Sequence, residues 1–510
     1  MRSNETTRDP GHKALTHQRA GQSGGSILEP VHNERGVIAE NYYDLQGLGV
    51  LDAARQSYPL PKATGASTLR AVFQSVEIAL VNLNDLMLRT TADLEVGAIG
   101  SATVKMFWAR GFHRVLSRLS LIPLQLGLMC EESSSKGTLR IEDSPAFADY
   151  LETLLRFDYV MRQRMESGEL QINRAIGEQS LESAEFNLFH LTRVCNHEST
   201  IWERNLAEVQ VPAFIPSYEE FVVTRGMRDA VYDRVLKGDT YFTQFRGLHQ
   251  IPETLGEEIN DRFEKSILVI RSGNLQEAVG HLNCINVLLE GVIAPLPPMA
   301  DNLATSDYHQ IRENLGLTSG SHSVCLRFNM FTDLYTQLVE ELTNYVAGRP
   351  AKECSEKEIE KAYRRVDTTR FEDSSSWLVH LTVNECLRIR SYIFQWRDEH
   401  LHMPRNNLGG EFTKSLTGSP DAISAVKHMR DAARAKDPML PVIRARGLGN
   451  EYGITAMGQL TKYLESESSL DREILAATGL ITQHRFNDVQ ERLGFFANRC
   501  PFSPPPRRKV

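Results

Sequence analysis

Apolar side chains recur at helical spacing along most of the chain. Leu255, Ile259, Phe263 and Ile267 fall every fourth residue, and Val379, Val383, Leu387 and Phe394 form a similar stripe running toward His400. That spacing gathers apolar groups on one helix face, where they can be buried together. Phe112, Val115, Leu116 and Leu119 mark another such helix, as do Ile285, Leu288, Leu289 and Val292. No set of segments alternates in the strand manner, so the pattern predicts an all-α fold, a multi-helix bundle. Breaks fall at Pro59 to Pro61, around Pro212 to Pro216, at the PLPP of Pro295 to Pro298 and at the GRP of residues 348–350. Proline lacks the amide that would continue a helix.

The layout also repeats. Residues 72–123 read as a helix, a charged turn, a second helix and a proline, and residues 244–295 read the same way. Laying Phe73 over Phe245 sets Glu77 where His249 stands; a degenerate duplication and a chance likeness of two amphipathic pairs both account for this. The predicted organisation is a disordered leader over 1–35 and an N-terminal segment over 36–62. An extra helical region follows over 63–235, then a binding core over 236–445, then C-terminal helices and a basic tail over 446–510. The leader is polar and rich in Gly, Ser and Arg, with no apolar period.

Composition narrows the class. The chain has 510 residues, 41% hydrophobic and 24% charged, the balance of a globular protein. Its net charge of -8 is spread along the chain, which argues against a nucleic-acid surface, because such surfaces need clustered Lys and Arg. Arg507, Arg508 and Lys509 form only a short terminal cluster. No window shows the run of about 18 apolar residues that spans a bilayer, and the N-terminus has no apolar signal core, so a cytoplasmic protein without membrane partners is expected. Seven cysteines without CxxC spacing indicate neither a disulfide framework nor a zinc site.

Four places carry candidate chemistry. His400 follows Trp396 by one helical turn, with Pro404 and Asn406 to Gly410 behind it. A neutral imidazole there can ligate iron while its other nitrogen meets an acceptor or water; it can equally be a charge partner of a helix C-terminus. His402 faces another side of the same helix. In YHQIRENLGLTSGSHS, Arg312 follows Tyr308 by one turn, so ring and guanidinium can share a cavity and the latter can grip a carboxylate bidentately. Pairing of Arg312 with Asp307 or Glu313 on a solvated face is the alternative. Ser319 and Gly320 in the same stretch let backbone and hydroxyl approach a ligand. His249, in FRGLHQIPETL, either serves bound oxygen as a proton donor or is a polar residue where a helix begins, with Pro252 in the first turn. Thr417, Gly418 and Ser419 form either a small polar cover or an ordinary turn and cap.

In this order, FxxxH, aromatic-xxx-Arg-Glu-x-Leu-xxx-Ser-Gly-xx-Ser, Trp-Arg-xx-His and a Thr-Gly-Ser loop, the motifs resemble tryptophan 2,3-dioxygenase and the wider superfamily of histidine-ligated haem-dependent aromatic oxygenases. The resemblance covers residues 238–430 closely and 38–56 loosely. It implies the all-helical haem oxygenase fold, here with an additional N-terminal helical region over 63–235 that has no counterpart. It implies haem b, with His400 as the axial iron ligand and Trp396 beside it. His249 matches the distal histidine and Phe245 the pocket phenylalanine one turn earlier. Arg312 matches the arginine that binds the substrate carboxylate, Tyr308 the pocket aromatic, and Ser319 the serine near haem and substrate. Thr417 matches the threonine that meets the substrate's ammonium and carboxylate.

NYYDLQGL, with Tyr42, Tyr43, Leu45 and Leu48, is similar to the family segment that reaches a neighbouring subunit's active site. That likeness implies Tyr43 at the substrate and a homo-oligomer, dimer or tetramer. The resemblance thus predicts an oxidoreductase using O2 on an aromatic L-amino acid. Two departures bear on the substrate: Tyr308 stands for the usual phenylalanine, and TGSPD for the glycine-rich loop. They keep open amino-acid monooxygenation or N-oxygenation in specialised metabolism beside dioxygenation. A haem-based gas sensor is the non-enzymatic alternative, although a diatomic ligand needs no carboxylate clamp.

Overall fold

The computed structural model describes residues 46–56, 65–127, 137–170, 184–207, 209–211, 217–232, 241–309, 327–370, 373–407 and 421–447. Helices dominate: α1 (Leu48–Gln56), α2 (Ala66–Glu95), α3 (Ile99–Leu119), α4 (Leu121–Gly127), α5 (Pro145–Glu166), α6 (Ala184–Leu206), α7 (Tyr218–Val222) and α8 (Thr224–Tyr232). They are followed by α9 (Phe242–Arg271), α10 (Leu275–Ile293), α11 (Leu296–Asn302), α12 (Arg327–Ala347), α13 (Glu356–Thr369), α14 (Ser374–Asn407), α15 (Ala422–Ala435) and α16 (Leu440–Gly447). The all-α expectation holds, with one addition. Strands β1 (Gly137–Leu139) and β2 (Val209–Val211) pair antiparallel, Thr138 opposite Gln210. At three residues each, they are too short for alternation to register in the sequence.

The proline breaks that fall on described residues lie where expected. The helix α10 ends at Ile293, just before Pro295, and α12 ends at Ala347, before Gly348 in the left-handed region at φ 69°. The breaks at Pro59 to Pro61 and Pro212 to Pro216 lie outside the described residues.

The chain divides into two compact units, Met1–Ala351 with Leu378–Met439, and Lys352–Trp377 with Leu440–Val510. In the second, α13 starts with a capping box at Ser355 and Glu358, and Arg446 forks onto Asp367 at 3.0 Å through both Nε and Nη2.

The first unit is built from two matching hairpins. Helices α2 and α9 are each 30 residues long, and each is followed by a glycine with positive φ, Gly97 at 75° and Gly273 at 80°. Laid end to end, they match Arg70 with Arg246, Gln74 with Gln250, Glu77 with Glu253, Asn84 with Asn260 and Asp85 with Asp261. In this register Phe73 occupies the position of His249. The expected overlay of Phe73 on Phe245 is therefore off by one helical turn. A shift of four residues preserves an apolar stripe, so only the buried polar residues distinguish the two registers.

The likeness extends further along the chain. LFHLT of Leu188–Thr192 in α6 echoes LVHLT of Leu378–Thr382 in α14, and in both the threonine hydroxyl donates to the leucine carbonyl four residues back at 2.8 Å.

Helices α2 and α9 cross antiparallel. Gln244 donates to Asp85 at 2.7 Å near one end, and Thr68 donates to Glu258 at 2.5 Å near the other. Between them the backbones approach so closely that a Cβ on Gly247 would lie 2.2 Å from Asn82 Nδ2. The Asn82 amide is itself tied to the Ile78 carbonyl at 2.8 Å. Gly247→Ala is expected to lower stability by about 1–3 kcal/mol through overpacking. Gly100→Ala, whose Cβ meets nothing within 4 Å, should be neutral or stabilising. Denaturant midpoints check both; equal midpoints for the two variants would contradict the close crossing.

The first hairpin carries a buried carboxyl. Glu77 accepts from Ser144 Oγ at 2.7 Å, Tyr218 Oη at 3.3 Å and the Ala146 amide at 3.4 Å. Burial outweighs these donors and raises its pKa to about 7. Between its ordinary value of 4.5 and about 7, the folded state binds more protons than the unfolded state, so stability falls as pH rises through that window. Glu77→Gln should remove this slope. Stability of wild type and variant against pH from 5 to 8 reads it directly, and parallel curves would contradict an elevated pKa.

Two stretches, Ala66–Glu95 and Leu275–Asn302, are long and apolar enough to cross a membrane by length and composition alone; 89% and 72% of their apolar windows are buried inside the protein.

Candidate functional site

Helix α9 positions the first group of candidate residues. Its buried stripe begins at Phe242 and continues through Phe245, Leu248, Ile251 and Leu255, which anchors the early turns although Pro252 lies within the helix. Pro252 is thus not in the first turn, as its sequence context suggests. The helix tolerates the loss of one amide bond because apolar contacts hold both sides of the proline.

His249 sits on this helix with its ring centroid 4.2 Å from that of Phe245, and the Tyr308 ring centroid lies 6.5 Å from that of Phe245. Phe245, His249 and Tyr308 are therefore brought together. His249 Nδ1 is 2.8 Å from the Phe245 carbonyl. A carbonyl can only accept, so Nδ1 carries the proton and Nε2 presents a lone pair. Burial pulls the imidazole pKa down to about 4, and the residue as a whole is half-buried. In this state His249 can accept a hydrogen bond at Nε2. Donation from Nε2 requires the other tautomer or a second proton.

Two polar neighbours fix this wall. Gln250 donates to the Gln46 and Ala230 carbonyls at 2.8 and 2.9 Å. The Arg246 guanidinium lies 5.1 Å from the Phe242 ring centroid and is fully buried. Sequence reasoning did not single these residues out, although their counterparts in the first hairpin, Gln74 and Arg70, are the signal that could have found them. Gln74 likewise donates to a backbone carbonyl, that of Val222, at 3.1 Å.

Helix α14 carries the second group. Trp396 and His400 have ring centroids 5.1 Å apart at 54°. The helix continues to Asn407, so His400 stands two turns before its end. Favourable charge at a helix C-terminus acts within the last turn, which removes the capping explanation for this imidazole. His402 is exposed. Between buried Ile393 and Leu401 no residue of α14 is fully buried; Phe394, Trp396, Arg397 and His400 are all half-covered.

The helix is nevertheless held to its neighbours before and within that stretch. Asn286 of α10 donates to the Glu385 side chain at 2.6 Å, the Tyr335 hydroxyl of α12 to the Cys386 carbonyl at 3.1 Å, and Tyr392 to Glu290 at 2.7 Å. Asp398 receives Arg434 of α15 at 2.8 Å. A half-covered aromatic face with one imidazole, on a helix tethered to its neighbours, fits a planar apolar cofactor that takes a single axial nitrogen, as haem does. Among the described residues no cluster of three or more His, Cys, Asp or Glu groups could hold a bare metal ion.

Arg312, Ser319, Thr417 and Tyr43 lie outside the described residues. No family model matches the chain, and no curated protein matches it.

Proposed function

We propose that the chain is a haem-dependent oxygenase acting on an aromatic L-amino acid with O2, in the manner of the tryptophan 2,3-dioxygenases it resembles. The observation that carries the reading is the cluster formed by Phe245 and a neutral His249 of fixed tautomer on α9 with the Tyr308 ring beside them. Aromatic rings offer faces for an aromatic substrate, and the Nε2 lone pair suits a substrate N–H such as that of indole.

Haem b, when bound, supplies the oxygen activation. The protein's share is position. His400 would hold the iron, with Trp396 packed one turn before it. Phe245 and Tyr308 would sandwich or flank the substrate ring, and His249 would accept its N–H. Arg312, with Thr417, would fix the carboxylate and ammonium; Ser319 would sit near haem and substrate, and Tyr43 would close the substrate region from the N-terminal segment of a homo-oligomer. A dry, oriented pocket of this kind removes much of the entropic cost of reaction.

With His249 neutral down to about pH 4, substrate binding should be insensitive to pH from 5 to 8. A titration of binding with a midpoint near the ordinary histidine value of 6.5 would contradict the assigned protonation state.

Tyr308 supports a second reading. Its ring lies near Phe245 and carries a hydroxyl where the resembled enzymes have a bare ring, and such a group can redirect the substrate toward monooxygenation or N-oxygenation. Product mass spectrometry with isotopically labelled O2 and a panel of aromatic amino acids decides between them: two labelled atoms in one product indicate dioxygenation, and one indicates monooxygenation. Unaltered amino acids across the panel would overturn the oxygenase reading. A gas sensor would bind haem without responding to any amino acid.

A further inference from the structure

A cleft of about 550 Å³ opens on the side of α14 adjacent to Trp396 and His400. It lies where the two hairpins meet, because its lining includes both members of three equivalent pairs: Arg114 and Glu290, Ser117 and Ile293, Arg118 and Ala294. The repeat has inverted charge here. Arg114 of α3 faces Glu198 of α6 at 4.0 Å, while its counterpart Glu290 of α10 faces Arg388 of α14 at 3.6 Å.

Its basic groups are Arg114 and Arg118, one turn apart on α3. Its carboxylates come from three other helices, Glu198 of α6, Glu290 of α10 and Glu399 of α14. Ile293, Pro297 and Pro298 supply an apolar floor. Glu290 is occupied, since it accepts from the Tyr392 hydroxyl at 2.7 Å. Other groups are not. Glu198 Oε2 and Ser117 Oγ are buried with no hydrogen-bond partner among the described residues, which is costly unless a ligand or water satisfies them. Arg118 and Glu399 line the cleft.

We propose that this cleft is a second binding site, for a small zwitterion of the α-amino-acid class with an apolar side chain, its carboxylate on Arg118 and its ammonium on Glu198 and Glu399. Opposite charges within one cleft orient such a ligand, and a molecule with only one of the two charges leaves the other set unsatisfied. Arg114, 4.0 Å from Glu198, is the second basic group of the cleft. The site requires no haem, so it stands or falls separately from the oxygenase reading.

The test uses L-phenylalanine, 2-phenylethylamine and 3-phenylpropionate as probes, titrated calorimetrically into the full chain. His400→Ala protein serves in parallel as a haem-deficient background. L-Phenylalanine should bind saturably in both, and each single-charge probe should bind about tenfold or more weakly. Arg118→Ala and Glu399→Gln should each weaken L-phenylalanine about tenfold while thermal midpoints stay unchanged, and the exposed control Arg162→Ala should have no effect. Absence of L-phenylalanine binding in the His400→Ala protein would overturn the proposal, as would binding indifferent to Arg118 and Glu399.

Discussion

His400→Ala is expected to abolish stoichiometric haem retention, whereas His402→Ala should leave it intact. The two histidines lie two residues apart on α14 and differ in setting. His400 is half-buried beside Trp396, two turns before the helix ends, and His402 is exposed. An axial nitrogen is the main covalent hold a protein has on haem b, so its removal leaves only apolar contact. The absorbance ratio of the haem band to the protein band in purified variants measures the effect. Loss of haem in His402→Ala and retention in His400→Ala would move the ligand and undo the register of the whole site. His400→Gly with added imidazole adds a finer check, since a free imidazole should restore the band if ligation alone was lost.

Arg312→Ala should raise the substrate concentration needed for half-saturation by about a hundredfold while leaving haem in place. A bidentate guanidinium–carboxylate pair in a pocket is worth about 3 kcal/mol more than water in its stead, and that energy corresponds to about two powers of ten. Arg312→Lys should recover only part of the loss, because an ammonium offers charge without the planar fork. The readout is substrate titration of the haem spectrum, which separates binding from turnover. If the affinity for the amino acid is unchanged, the carboxylate clamp is not Arg312.

Much of the helical architecture is legible in the sequence, because spacing of buried residues is a direct consequence of helix geometry. The stripe Leu255, Ile259, Phe263 and Ile267 is buried on α9 as its period requires. Within the candidate site, the FxxxH and WRxxH spacings foretell the ring contacts of Phe245 with His249 and Trp396 with His400, since residues four apart on a helix are neighbours.

Other features needed three dimensions. The start of α9 at Phe242 was hidden by Pro252, whose cost is offset by burial on both sides. The register of the two hairpins was hidden because apolar stripes coincide under a one-turn shift, whereas Arg70 and Gln74 fall on Arg246 and Gln250 in one register only. The tautomer of His249 depends on a carbonyl four residues back along the helix, and whether that carbonyl is within reach is a matter of side-chain rotamer. The inverted charges of Arg114 and Glu290 become meaningful only once α3 and α10 line one cleft.

The hairpin comparison also sharpens the reading of His249. Residues shared by the copies, Arg70 and Arg246, Gln74 and Gln250, are buried, and Gln74, Gln250 and Arg246 brace backbone carbonyls. One position at which they differ holds Phe73 in one copy and His249 in the other. Phe73 packs edge-on against Tyr218 at 5.8 Å, so the scaffold folds there with an apolar ring.

In the function proposed above, one chain would bind haem and an aromatic amino acid at the same site. The most direct measurement is the absorbance spectrum of the purified full-length chain reconstituted with haem, recorded before and after addition of aromatic L-amino acids. The account predicts one intense haem band per chain and a saturable shift of that band with at least one aromatic L-amino acid, absent with the corresponding amine that lacks the carboxylate. A protein that takes up no haem, or whose haem band ignores every amino acid offered, would contradict it.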